Sequence, residues 1–145
     1  MKITKLQVRQ MTDEMEIGHT IFVNKDTGEF KAFFELDDLM EYMMSDEEDP
    51  WEEERQIVDS WEHSATIEKL SSHEGFRIME SFADEVDGKF RDKIINILNY
   101  RRPFAHFKDL VESSEYRQRW FDFRKRKYEE YITENLLDNG LKVES

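Results

Sequence analysis

The chain has 145 residues, no cysteine and a formal net charge of −13. That length fits one domain with its own core, and the lack of cysteine excludes a disulfide framework, a Cys-based zinc site and a thiol nucleophile. The acidic total disfavours adhesion of the whole surface to nucleic acid or anionic lipid; no apolar run approaches the ~18 residues of a membrane span.

In chain order, Leu6, Met11 and Met15 approximate a helical stripe and Gly18 is a natural stop. The run MKITKLQVRQMTDEMEIG carries charges throughout and lacks the apolar core of a signal peptide, which predicts a soluble, cytoplasmic protein. Thr20–Val23 and Glu29–Phe34 flank a polar loop with Gly28, a hairpin pattern, with Phe30, Ala32 and Phe34 sharing one face. Glu35–Glu62 then holds thirteen acidic residues and one basic residue. Within it Leu36, Leu39, Met40 and Met43 have helical spacing. Asp49 and Pro50 suggest an N-cap and first position for a second helix, with Glu52, Glu53 and Glu54 in its first turn and Trp51, Val58 and Trp61 as its stripe. Segment Ser45–Glu54 is expected to be mobile because like charges resist packing.

Thr66–Leu70 reads as a third strand. Ser71-Ser-His-Glu74 is a capping box before Phe76, Met79, Phe82, Ala83 and Val86, with Asp87-Gly88 as the stop. Phe90, Ile94, Ile97 and Leu98 mark the next helix; Pro103 opens a short one carrying Phe104, Phe107, Leu110 and Val111. A last helix spans about Tyr116–Leu136, before Asn139-Gly140. The fold class is α+β: a small antiparallel sheet, hairpin plus third strand, packed with a helical C-terminal half. The organisation is one domain, 1–145, with an acidic part over 1–70 and a helical part over 71–138.

The segments Ser71-Ser-His-Glu-Gly-Phe-Arg-Ile-Met-Glu-Ser-Phe82, Arg101-Arg-Pro-Phe-Ala-His-Phe-Lys-Asp109 and Arg119-Trp-Phe-Asp-Phe123 resemble the signature of the bacterial uncharacterised protein family 0158. The resemblance is strongest over 71–131, looser at Thr27-Gly28-Glu29 and weakest around Asp46–Glu54. It implies a bacterial cytosolic setting. It implies no catalytic residue, because the family has no assigned activity.

His19, His63, His73 and His106 lack metal-binding spacing, the acidic run lacks an EF-hand pattern, and no phosphate-loop, dinucleotide or nucleophile-elbow motif occurs. No metal or cofactor is therefore expected. His73 and Glu74 open a helix where anions often sit, against the plainer reading of a surface residue and a cap. The basic stretch Arg101–Tyr128 is more informative, with nine Lys/Arg, four Asp/Glu and seven of the nineteen aromatics. Within it Arg117 and Arg124, seven apart, fall in the apolar arc around Trp120 and Phe121; Arg119 and Arg126 fall outside it. An arginine in an apolar face needs a carboxylate, a carbonyl or a ligand, so Arg117 and Arg124 serve either an internal ion pair or an anion. Arg101 and Arg102 are expected in solvent.

With no catalytic constellation and two regions of opposite sign, the leading reading is a non-catalytic interaction or ligand-binding module. A protein partner or self-association suits it best. The alternative is a nucleic-acid binder using 101–128, where Phe and Tyr could stack on bases; the remaining 117 residues, carrying −18, weigh against it. A second alternative is a small hydrolase or transferase at His73 and Glu74 with Arg117 or Arg124.

Overall fold

Helix α1 (Lys5–Glu16) begins where the Thr4 hydroxyl accepts the Gln7 amide and the Gln7 side chain returns to the Thr4 amide. This reciprocal cap satisfies two otherwise orphaned donors. The computed structural model describes residues 2–42 and 48–144. The buried stripe of α1 is Val8, Met11, Thr12 and Met15; Leu6 lies outside it and is 61% exposed. Gly18, at φ +95°, ends the helix: its amide reaches the Met15 carbonyl at 2.9 Å and the His19 amide reaches that of Glu14 at 3.2 Å. Only glycine takes this left-handed position without strain. The turn buries His19, with Nδ1 2.7 Å from Glu14 Oε2 and its ring edge-on to Phe34 and Trp51.

Strands β2 (Thr20–Asn24) and β3 (Phe30–Phe33) form the expected hairpin, with the Asn24 side chain accepting the Asp26 and Thr27 amides. The third strand, β4 (Ser64–Ile67), lies two to three residues earlier than its sequence range and pairs with β2, giving the antiparallel order β3-β2-β4. Ile21, Val23, Ala65 and Ile67 are buried and share a face with Phe30 and Ala32 by register. Phe33 points the other way yet is buried, stacked on Phe22 at 4.5 Å and covered by the Arg55 guanidinium at 4.6 Å.

Helix α2 (Leu36–Tyr42) buries Leu39. Met43 and residues 45–47 of the acidic run lie outside the described residues. Helix α3 (Glu52–Asp59) has Trp51, not Asp49, at its cap position, and its Trp51, Val58 and Trp61 positions are half-buried, not buried. Asp49 has other work: it accepts the Trp51 amide at 2.9 Å and pairs with Arg55 Nε at 2.6 Å, and a further Arg55 nitrogen donates to the Phe34 carbonyl. Asp49 is therefore paired, while Glu48, Glu52 and Glu53 beside it are exposed.

The capping box of α4 (Ser72–Phe82) forms as read, Ser71 with Glu74. After a short turn at Ala83–Glu85, Asp87-Gly88 starts α5 (Gly88–Leu98) instead of stopping α4: the Asp87 carboxylate accepts the Phe90 amide at 3.0 Å. Pro103 opens α6 (Pro103–Glu112), and α7 runs Arg117–Asp138. Gly140, at φ +80°, ends α7 as Gly18 ends α1. The chain then pairs β5 (Lys142–Val143) in parallel with β1 (Lys2–Ile3). The architecture is α+β, a three-stranded antiparallel sheet and a short parallel pair among helices.

Contacts divide the chain into two units: unit 1, residues 1–69 with 128–145, and unit 2, residues 70–127. Unit 1 carries eight Lys/Arg against twenty-four Asp/Glu, net −16; unit 2 carries thirteen against ten, net +3. Among the described residues no helix is long and apolar enough to cross a membrane.

A candidate arginine-lined site on the last helix

Unit 2 is built on an aromatic centre. Phe82 packs against Trp120 (5.2 Å between centroids), Phe123 (5.4 Å) and Phe107 (6.3 Å), within a cluster that includes Met79, Ile94, Leu98 and Val111. Burial of Trp120 and Phe123 sets the phase of the first half of α7. In the second half the buried residues are Ile132 and Leu136, which at ~100° per residue lie nearly opposite Trp120 and Phe123 on the helix. Averaging all the aromatics of α7 therefore misplaces the apolar arc. Measured from Trp120 and Phe123 alone, Arg117, Phe121 and Arg124 lie on one flank and Arg119, Asp122 and Arg126 on the other.

On the first flank, the Arg117 and Arg124 guanidinia collect on one ring, at 5.1 and 5.4 Å from the Phe121 centroid, and Arg124 also lies 5.8 Å from that of Trp120. Arg124 is half-buried, with its Nε enclosed; Arg117 is exposed, outside the apolar face in which the sequence pattern put it. Phe121, which lies between the two arginines in sequence, is the ring both guanidinia approach.

The second flank forms an open cleft of about 360 Å³ lined by Glu85, Arg119, Asp122, Phe123 and Arg126. Arg119 Nη1 donates to the Glu85 carbonyl at 2.9 Å, and Arg126 Nη2 lies 3.7 Å from Glu85 Oε1. The Arg126 guanidinium rests 5.4 Å from the Phe123 centroid, and Gln118 holds Asp122 through a 3.0 Å bond. An arc averaged over the whole helix takes in Tyr128, Tyr131 and Ile132 of the second half and leaves these two arginines outside it. A phase fitted to Trp120 and Phe123 alone would have found them.

The Tyr116 hydroxyl, just before α7, donates to the Asp87 carboxylate. That bond is the main cause holding the Asp87 carboxyl below its ordinary 3.8 and raising the Tyr116 hydroxyl above 10.0. A lowered carboxyl pKa stabilises the fold above its unfolded value and loses this as pH falls; a raised phenol pKa stabilises below its unfolded value and loses this as pH rises. Tyr116→Phe should therefore lower the melting temperature across neutral pH, with the gap to wild type closing below about pH 4 and above about pH 10. A gap independent of pH would locate the loss in packing.

The other sequence candidates stand apart. His73 is exposed and its Nε2 accepts from Arg77 at 3.2 Å, while Glu74 is committed to Ser71. Arg101 and Arg102 are exposed in the turn between α5 and α6, Arg102 at φ 55°. Among the described residues no group of three or more His, Asp or Glu is placed to hold a metal ion.

Uncharacterised protein family (UPF0158) has a family model that matches residues 35–144, which includes the helices of unit 2 and leaves the Thr27-Gly28-Glu29 loop outside. No curated protein and no solved structure matches the chain.

Proposed function

This chain belongs to Uncharacterised protein family (UPF0158), and from that premise we propose a non-catalytic interaction module that seats a protein partner on the Arg119–Arg126 flank of α7. The observation that carries this reading is the cleft itself. Two guanidinia seven residues apart are held by Glu85 and Phe123 around one concavity. Each anchor occupies a small part of a guanidinium's five donors, and a held arginine loses less freedom on gripping a carboxylate than a loose one. Glu85 and Asp122 line the same space, so a partner surface presenting both signs fits better than a bare polyanion. Charge-matched contacts of this kind chiefly set specificity and association rate.

The test is affinity capture from native lysate, with RNase-treated and untreated samples, using wild type, Arg119→Glu/Arg126→Glu and Arg117→Glu/Arg124→Glu. The expected result is an RNase-insensitive partner retained by wild type and lost with the 119/126 variant. Equal retention by wild type and that variant would overturn the assignment of the cleft. Loss on RNase treatment would favour the nucleic-acid alternative.

A further inference from the structure

Away from the cleft, and apart from Leu6, Ile17 and Leu137, the large exposed apolar side chains among the described residues fall into two chemically opposite settings. In unit 2 they gather around the α5–α6 turn: Ile95 at 41%, Tyr100 at 61% and Phe104 at 45% exposure, with Arg101 and Arg102 in solvent between the two rings. One edge of the Phe104 ring lies over Gly75, 3.4 Å from where a Cβ there would stand. Arg102 keeps a left-handed backbone, φ 55° and ψ 52°, that only glycine adopts without strain. In unit 1 the exposed apolar side chains of α2 and α3 are Leu36 and Met40, one turn apart beside Asp37, and Ile57, one turn from Glu53 beside Glu52. Each of these side chains keeps 40% or more of its surface exposed.

We infer that the protein associates with a second copy of itself, the basic, aromatic α5–α6 turn of one copy docking on the acidic, apolar α2–α3 surface of the other. The two surfaces match in both respects, with apolar area to bury and charge of opposite sign around it. An unrelated acidic segment would satisfy the arginines but leave the α2–α3 surface uncovered, whereas a second copy covers both. The contact joins unlike surfaces, so it is head-to-tail, closing into a ring or continuing as an open chain. It is independent of the cleft.

Sedimentation velocity on the full chain over a range of concentrations tests this. Wild type is expected to show concentration-dependent association. Arg101→Glu/Arg102→Glu alone and Glu52→Lys/Glu53→Lys alone should each raise the dissociation constant roughly tenfold or more, while their equimolar mixture regains association. Lys2→Glu/Lys89→Glu, which changes net charge as much as the first variant, should associate like wild type, and so should Arg119→Glu/Arg126→Glu. A wild type monomeric at every concentration, or a mixture no better associated than its components, would overturn the proposal. Circular dichroism of each variant separates loss of contact from loss of fold.

Discussion

Phe82→Ala is expected to destabilise unit 2 by about 3–5 kcal/mol, the usual cost of emptying a buried phenylalanine site. The side chain is 0% exposed and meets three further aromatic rings, of Phe107, Trp120 and Phe123. Those rings come from α6 and α7, so the cavity left by truncation has walls on different helices and cannot close by one side chain swinging inward. In a Trp51→Phe/Trp61→Phe background Trp120 is the one tryptophan left, so denaturant melts followed by its fluorescence report on this cluster and should show the loss. A change below about 1 kcal/mol, typical of tolerant surface sites, would mean that these aromatics do not form the centre of the unit.

The second large effect belongs to unit 1. Arg55→Ala removes the 2.6 Å pair with Asp49, the bond to the Phe34 carbonyl and the cover over Phe33 at one stroke. The Arg55 and Asp49 side chains are 15% and 20% exposed, so a loss of about 2–3 kcal/mol is expected, below the ~3–5 kcal/mol of a fully enclosed pair. Burial alone would raise the Asp49 carboxyl, but the bond from Arg55, the Trp51 amide and the Arg55 charge prevail and hold it below its ordinary 3.8. A lowered carboxyl pKa contributes stability above the unfolded value and loses it as pH falls through the folded one. Wild type should therefore lose stability below about pH 4 more steeply than Arg55→Ala. Arg55→Lys should recover only part of the loss, because an ammonium cannot span a carboxylate, a carbonyl and a ring together. Parallel pH curves for wild type and Arg55→Ala would remove Asp49 from this account.

Local chemistry was readable where one short motif decides the outcome. Ser71 and Glu74 have the spacing of a capping box, Pro103 suits the first turn of a helix and not its interior, and Asn24 to Gly28 turns a hairpin by its own hydrogen bonds. The two-residue strands Lys2–Ile3 and Lys142–Val143 have no period to recognise, since alternation needs several residues to show. Asp87-Gly88 was ambiguous: glycine is a familiar helix stop, and an aspartate before it is an equally good start. Tertiary context chose the start.

The candidate site was legible in kind but not in place. A pair of arginines seven apart on the basic last helix is a sequence fact, and two such pairs exist. Which pair borders a cleft depends on the helical phase set by Trp120 and Phe123, and that phase is masked by Ile132 and Leu136, buried on a nearly opposite side. The clamp between Asp49 and Arg55 was hidden for a different reason: within a run of thirteen acidic residues, nothing local marks the one that pairs with the single arginine.

Unit 1 draws its residues from 1–69 and again from 128–145, with all of unit 2 between them. On the ribosome, the sheet strands β2, β3 and β4 emerge early, but Ile132, Leu136, Leu141 and the β5 strand that pairs with Lys2–Ile3 emerge last. Residues 70–127 are complete before any of these appear, and domains assemble as their own residues become available during synthesis. Residues 1–69 are therefore made before unit 2 but completed after it, and their own seven Lys/Arg against nineteen Asp/Glu, net −12, favour keeping the waiting chain in solution meanwhile.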